Sequence, residues 1–228
     1  LGSFNGGFSL RSRALCEHAS RKWFSVFKHI FKEDSRHLGE DFYYTTLLKF
    51  LPSTWLKFRF PSERASFKFS FDALSGAVTL PSDIKPFGKH GSVNAETTIL
   101  AYHFWNEEGY EKSFAGVRHA IEETWKHCGL LKTVLVVNKA HKCVEVFAAE
   151  HQNVEIQVEP SLIPGNIHTM SVDCNSRLYK RFSTPYVLIV QNDGYPLRPA
   201  PEEFVGRSDF IGAPYVRDSW WKNRICAL

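Results

Sequence analysis

Apolar and polar positions in the second half of the chain alternate in blocks that predict strands and helices in turn. Short apolar runs rich in β-branched residues predict strands at 97–102, 133–137 and 186–190, and we also expect a strand at 154–158. Apolar side chains also recur every three or four residues from Tyr110 to Trp125, a spacing that is typical of one buried helix face. Further helices are expected at 143–150 and 171–182. This alternation predicts an α/β fold with a mostly parallel sheet and helices on both faces.

The first half of the chain has a different pattern. We expect a short strand at 8–10, a helix at 11–31 and a second helix at 40–51, which Pro52 ends because proline cannot continue a helix. From there to Gly91, residues of the types Phe, Ser, Lys and Pro predict short strands and ordered loops. The length of 228 residues, of which 43% are hydrophobic, is enough for one domain with a substantial core.

Composition narrows the class of protein. The chain has no apolar run of membrane-spanning length and no apolar core near its start, so we expect a cytoplasmic protein without a signal or membrane segment. A formal charge of +4 without a long Lys/Arg block does not imply nucleic acid as a partner, although a basic cleft for phosphates would give the same balance. Five scattered cysteines without C-x-x-C spacing argue against a disulfide framework or a zinc site.

The segment Gln191-Asn192-Asp193-Gly194 is the first candidate for chemistry, because it directly follows the strand predicted at 186–190. Open α/β sheets bind ligands at the carboxyl ends of their strands. Mg²⁺ and Mn²⁺ take one or two protein carboxylates and complete their shell with phosphate oxygens, so Asp193 could be a metal ligand. The alternative is an ordinary Asp-Gly turn.

Two glycine-containing segments could also contact a ligand. The pair Gly6-Gly7, preceded by Asn5, would let the main chain pass close to a sugar or phosphate, or would simply form a tight turn. His90 lies between glycines in a predicted loop, and neutral imidazole is a common metal ligand. Nine other histidines make this second signal weaker.

Two acidic residues, Glu40 and Asp41, begin the helix predicted at 40–51. The helix dipole favours acidic side chains in a first turn, so a capping role would explain them. A carboxylate held near a sugar hydroxyl can also accept its proton, which makes Asp41 a candidate general base.

Together these segments resemble the characteristic motifs of the GT-A glycosyltransferase core. Here the motifs occur in a circularly permuted order. The chain is also similar to a largely uncharacterised glycosyltransferase-like family with the patterns Q-x-D-G, D-Y-I-G-A-P, N-G-G-F-S-L-R-S and P-F-G-x-H-G. The matching segments are 186–194, 208–215, 4–12 and 86–91, so the resemblance spans almost the whole chain. Gln191 stands where the D-x-D motif of the GT-A core has its first acid, and Phe4 stands where the similar family has a glycine.

The resemblance implies a GT-A-like, metal-dependent glycosyltransferase that moves a sugar from a nucleotide-diphosphate sugar, with UDP-sugar as the expected donor, to a carbohydrate or other hydroxyl acceptor. It implies a nucleotide-binding half at about 97–194 and an acceptor side formed by about 209–228 with 1–51. Mn²⁺ or Mg²⁺ would bind Asp193 and His90, and Asp41 would act as the base with Glu40 in support. The expected donor-binding residues are Asn5, Gly6, Gly7, His103, Asn106, Asn138, Gln191, Asn192 and Asp193.

On the acceptor side, Trp220 and Trp221 could stack on a sugar face or close a hydrophobic core. The permuted order further predicts that Leu1 and Leu228 lie within about 15 Å of each other. It also predicts that Asp193 and His90 share one cleft, with ligand atoms roughly 5 to 6 Å apart.

Two other classes of protein remain open. A catalytically silent sugar- or nucleotide-binding protein could retain the GT-A fold, and Gln191 in place of an acid favours this alternative. A nucleotidyltransferase would share the phosphates and the metal but should lack the pair formed by Asp41 and His90.

Overall fold

The computed structural model of the chain describes residues 4–22, 58–59, 97–196 and 208–214. Six strands lie within these ranges: β1 (Phe4–Ser12), β2 (Thr97–His103), β3 (Thr133–Val137), β4 (Val154–Val158), β5 (Tyr186–Val190) and β6 (Phe210–Pro214). The helices described with them are α1 (Arg13–Lys22), α2 (Tyr110–Cys128), α3 (Lys142–Glu150), α4 (Ile167–Ser176) and α5 (Leu178–Arg181).

The six strands form one sheet in the order β4-β3-β2-β5-β1-β6. The strand β2 pairs in parallel with β3 on one side and β5 on the other, and β3 pairs in parallel with β4. The strand β1 is antiparallel to both of its neighbours, β5 and β6. The sheet is therefore mixed and mostly parallel, as the alternation of apolar runs predicts.

Helices cover both faces of this sheet. Side chains of α2 and α3 pack on one face, against a cluster that includes Ile99, Ala101 and Leu188. Side chains of α1, α4 and α5 pack on the other face, against a cluster that includes Leu100 and Ile189. Successive side chains of a strand point to opposite faces, so the continuous apolar runs of β2 and β5 supply both cores.

Most of the elements predicted from the apolar pattern are present. The strands at 133–137, 154–158 and 186–190 have the predicted bounds, and the helical stripe from Tyr110 to Trp125 is buried on α2. The strand expected at 8–10 is longer, and the helix expected from residue 11 begins at Arg13. The helix predicted at 40–51 lies outside the described residues.

The single helix predicted at 171–182 is wrong. It begins earlier, at Ile167, and is divided into α4 and α5 at Arg177, whose φ of −131° and ψ of −7° leave the helical region. The side chain of Arg177 there donates to the Glu159 carboxylate over 2.9 Å. A tertiary contact thus accompanies a break that the apolar pattern does not indicate.

The cysteines in the described segments are free thiols: Cys16, Cys128, Cys143 and Cys174. No helix within the described segments is long and apolar enough to cross a membrane.

Candidate functional site

A cleft of about 290 Å³ lies at the carboxyl ends of β2 and β5. From β2 the chain continues to β3 and β4 on one side, and it then returns to β5 on the other side of β2. At such a switch point the flanking helices diverge to opposite faces and leave a crevice, which is where open α/β sheets bind ligands. The residues that line the cleft are Tyr102, His103, Phe104, Trp105, Ser113, Val117, Gly165, Ile167, Met170, Gln191 and Asn192.

His103, the last residue of β2, is 3% exposed, and its Nε2 atom finds no hydrogen-bond partner among the described residues. Its ring lies edge-on to Tyr110 with centroids 4.4 Å apart. Burial lowers the pKa of His103 from 6.5 to about 4; a hydrogen bond to the Tyr110 backbone opposes this, and the neighbouring His141 adds to it. A neutral imidazole in the cleft wall, with one nitrogen that has no partner in the described part of the chain, is suited to bind a ligand hydroxyl or base.

The lowered pKa of His103 predicts that the protein loses stability in mildly acidic solution. In the unfolded chain a histidine takes up a proton near pH 6.5, whereas His103 in the folded protein resists protonation until about pH 4. The free energy of unfolding should therefore fall by about 2 kcal/mol between pH 7 and pH 5 because of this residue. Urea unfolding at several pH values would measure the loss.

The matched variant is His103→Gln, which keeps a polar side chain but removes the titrating group. Its stability should depend less on pH over the same interval, and equal slopes in the two proteins would contradict the assignment. The measurement should stay above pH 5, because at lower pH the protonation of Glu159 causes a separate loss of stability. Hydrogen bonds from Ser161, together with those from Arg181 and Arg177, lower the pKa of Glu159 to about 2, so its stabilising effect is lost as pH falls below its ordinary value of 4.5.

Two residues of the turn after β5, Gln191 and Asn192, also line the cleft. The backbones of Gln191 and Gly194 exchange two hydrogen bonds of 2.9 and 3.0 Å, which close a tight turn with Asn192 and Asp193 exposed at its tip. The amide of Gln191 lies 4.0 Å from the sulfur of Met170 on α4. The carboxylate of Asp193 is therefore held beside the cleft and is accessible to solvent.

Gly116 of α2 determines how closely this turn can approach the helix. A Cβ atom at Gly116 would lie 3.2 Å from the Cβ of Asn192, closer than side chains usually pack. A larger residue at this position would push the turn away from α2. The sequence offers no signal for this role, because a lone glycine within a helical pattern only lowers helix propensity.

The paired glycines lie at the same edge of the sheet. The register of β1 with β6 jumps from Asn5↔Ala213 to Ser9↔Gly212, so Gly6 and the two residues after it form a β-bulge rather than a plain turn before a strand. Ser9 lies opposite Ile189, and β1 is antiparallel to β5. Residues before Ser9 therefore extend towards the carboxyl end of β5, where the cleft lies.

The described donor-binding candidates all lie at or near this carboxyl edge. His103, Gln191 and Asn192 line the cleft, and Asp193 follows them in the turn. The amide of Asn138, after β3, donates to the Trp105 carbonyl over 3.4 Å, and its own Oδ1 is buried without a partner in the part of the chain that the structure describes. Asn106 is exposed in the loop after β2, and Asn5, Gly6 and Gly7 belong to the bulged part of β1.

Other candidates lie outside the described residues, and so do both ends of the chain. They are Glu40, Asp41, His90, Trp220 and Trp221. Within the described ranges, Asp193 joins no group of three metal-ligating side chains. A single exposed carboxylate still fits a hard cation that takes one or two protein ligands and the oxygens of a diphosphate.

Sequence reasoning missed much of the cleft lining. Phe104 and Trp105 directly follow β2, which is the one local signal that could have found them. Ser113 and Val117 belong to α2, while Ile167 and Met170 belong to α4. These two helices reach the cleft from opposite faces of the sheet, so no local pattern places them together.

Comparison with known proteins matches part of the chain to a family model. Residues 2–90 match the model of a family described as "Protein of unknown function (DUF5672)". The matched part includes the glycine bulge, and it also includes Glu40, Asp41 and His90. No curated protein and no solved structure matches the chain.

Proposed function

We propose that the protein is a GT-A-like glycosyltransferase that moves a sugar from a nucleotide-diphosphate sugar to a hydroxyl acceptor with the help of a divalent metal. The observation that carries the proposal is the cleft at the carboxyl ends of β2 and β5, with the exposed Asp193 beside it. The resemblance of four segments to a glycosyltransferase-like family supports sugar transfer as the class of reaction.

The lining of the cleft suits a nucleoside. Aromatic and apolar side chains, among them Trp105 and Met170, offer surface for a base, while His103, Gln191 and Asn192 offer hydrogen bonds to its edge or to the ribose. Most small-molecule sites have this composition, an apolar wall with a few polar groups that fix the orientation of the ligand. A volume of about 290 Å³ is near the lower limit for such sites.

If the nucleoside binds in the cleft, the diphosphate attached to it would lie towards Asp193 and the glycine bulge of β1. A divalent ion held by Asp193, with His90 as the second proposed ligand, would stabilise the negative charge of the leaving diphosphate. Asp41 would accept the proton of the acceptor hydroxyl, with Glu40 beside it, in a reaction that inverts the anomeric carbon.

The pairing of β1 supports the proposal of a circularly permuted order. Phe4 lies opposite Pro214, so the first described residue of the chain and the end of β6 are neighbours in the sheet. In the proposed parental order β6 would precede β1, and the two would be antiparallel strands joined by residues 215–228 and 1–3. Joining or cutting a chain at a surface loop leaves the core intact.

A catalytically silent binding protein is the second candidate, and Gln191 is the observation that favours it. A neutral amide stands where the D-x-D motif of the GT-A core has its first carboxylate. Sugar or nucleotide binding that is indifferent to metal would support this alternative.

Thermal unfolding in the presence of nucleoside diphosphates, with and without Mn²⁺, tests the proposal. A ligand at one hundred times its Kd stabilises the folded state by about 2.7 kcal/mol, so UDP with Mn²⁺ should raise the melting temperature clearly. Asp193→Asn should remove the Mn²⁺-dependent part of the shift. If no nucleoside diphosphate raises the melting temperature, the donor site is wrong; hydrolysis of a UDP-sugar with Mn²⁺ separates an enzyme from a silent binder.

Filling the space at Gly116 tests whether the cleft is the nucleotide site. Gly116→Leu should displace the turn that holds Asn192 and weaken UDP binding about tenfold, which corresponds to about 1.4 kcal/mol. Ala115→Leu is the matched control, because Ala115 is exposed on the same helix. Calorimetric titration of both variants would check this, and equal affinities would place the nucleotide elsewhere.

A further inference from the structure

Three potential metal ligands from two segments of the chain meet beside the start of α2. They are Glu111 in the first turn of α2, His141 directly before α3, and Cys143 in the first turn of α3. One ligand atom from each residue lies within 4.8 Å of the others. The Nδ1 atom of His141 is 3.1 Å from the Sγ atom of Cys143.

The imidazole of His141 is held in a defined orientation. Its Nε2 atom lies 3.4 Å from a carboxylate oxygen of Glu107, which also forms an ion pair with Lys139. Its ring is stacked on Tyr110, with the centroids 4.4 Å apart and the planes 17° from parallel. Histidines that bind metal usually donate the other ring N–H to a carboxylate or carbonyl, which fixes the tautomer and the direction of the ligating nitrogen. Glu107 supplies such a carboxylate.

We propose that Glu111, His141 and Cys143 bind a Zn²⁺ ion, with Glu107 as the outer carboxylate that orients His141. Thiolate and imidazole together favour zinc over the hard cations Mg²⁺ and Mn²⁺. Three protein ligands leave one position of a tetrahedral ion for water or a ligand atom. This site shares no residue with the proposed donor site, so the two proposals succeed or fail separately.

Cysteine spacing alone could not reveal this group, because its carboxylate comes from another helix. The competing explanation is local. The His141 side chain accepts a hydrogen bond from the Cys143 backbone N–H over 3.4 Å and therefore serves as the N-cap of α3. A helix cap formed by His141 needs neither Glu111 nor Glu107, whereas the proposed metal site needs both. Substitution of these two residues therefore distinguishes the two explanations.

Titration of the metal-free, tag-free protein with Zn²⁺ and with Co²⁺ tests the proposal. We expect one equivalent of Zn²⁺ by calorimetry, and a tetrahedral Co²⁺ spectrum with a thiolate charge-transfer band. Cys143→Ser should abolish that band, and Glu111→Gln, a change at an exposed position, should weaken Zn²⁺ binding at least tenfold. Glu107→Gln should weaken it about tenfold to a hundredfold, the usual effect of losing an outer-shell partner.

The matched control is Glu108→Gln, which removes an exposed carboxylate next to Glu107 and should leave Zn²⁺ affinity unchanged. Asp193→Asn should also leave it unchanged. The proposal is overturned if no Zn²⁺ binds, if Cys143→Ser retains the charge-transfer band, or if Glu111→Gln binds as tightly as the parent. Circular dichroism of each variant, compared with the parent, verifies that the fold is retained.

Discussion

Replacing Asp173 with asparagine should lower the free energy of unfolding by about 3 kcal/mol, the largest effect on stability that we expect from a single polar substitution. Asp173 on α4 is 2% exposed, and its carboxylate accepts hydrogen bonds from two groups of Arg181, over 2.5 and 3.1 Å. It also accepts one from the Tyr102 hydroxyl over 2.8 Å. Breaking a buried ion pair is costly because the remaining charge stays buried without its partner.

The arginine would remain charged in this variant. Burial acts to lower the pKa of Arg181, but the hydrogen bonds and charges of its acidic neighbours, first Asp173 and then Glu159, together raise the pKa above its ordinary value. Without Asp173 the guanidinium still stays protonated at pH 7, because its ordinary pKa is so high. Glu159 also pairs with Arg181 over 2.7 Å, so the buried charge of Arg181 would still have one acidic partner in the variant. For this reason the expected loss is at the lower end of the range for broken buried pairs.

Urea unfolding of Asp173→Asn at pH 7 would measure the effect. The matched control is Glu122→Gln, which removes one of the two carboxylate partners of Arg118 in a pair whose side chains are 43% and 41% exposed. Exposed pairs of this kind contribute about 0.5 kcal/mol or less. A loss below about 1 kcal/mol in Asp173→Asn would show that the pair contributes no more than an exposed one. Because Tyr102 lines the cleft, the same variant should also weaken the nucleotide binding that we propose for it.

Asp41→Asn should lower the rate of sugar transfer about a hundredfold or more, while nucleotide binding stays nearly unchanged. General base catalysis typically contributes a factor of about 10² to 10⁴, and asparagine cannot accept the proton of the acceptor hydroxyl. This expectation rests on the Glu40-Asp41 segment of the sequence and on the proposed function. Initial rates with saturating UDP-sugar and Mn²⁺ would measure it.

Thermal unfolding of the same variant distinguishes a general base at Asp41 from a helix cap at Asp41. Loss of a capping Asp41 would lower stability by about 1 kcal/mol and leave the transfer rate at the parent value. Glu122→Gln again serves as the control for removal of a surface carboxylate. If Asp41→Asn transfers sugar at the parent rate, Glu40 or a group of the substrate must take the proton instead.

The sequence by itself determined the parallel part of the fold. The runs at 133–137 and 186–190 contain enough contiguous apolar residues to define strands without tertiary information, and apolar and polar residues alternate at 154–158. The stripe on α2 defines its buried face. Parallel strands need crossover connections, so the order of strands and helices also implied that side chains after β2 and β5 lie at one sheet edge. His103 and Gln191 were found in this way.

Only the tertiary structure decided which segments meet at that edge. The antiparallel insertion of β1 between β5 and β6 joins residues about two hundred positions apart, and strand periodicity indicates a buried face without indicating a partner. Gly116 matters only because the turn at Asn192 lies against it. The group of Glu111, His141 and Cys143 depends likewise on the packing of α2 beside α3. Local patterns report the burial of each segment, whereas distances between side chains depend on how the segments pack across the sheet.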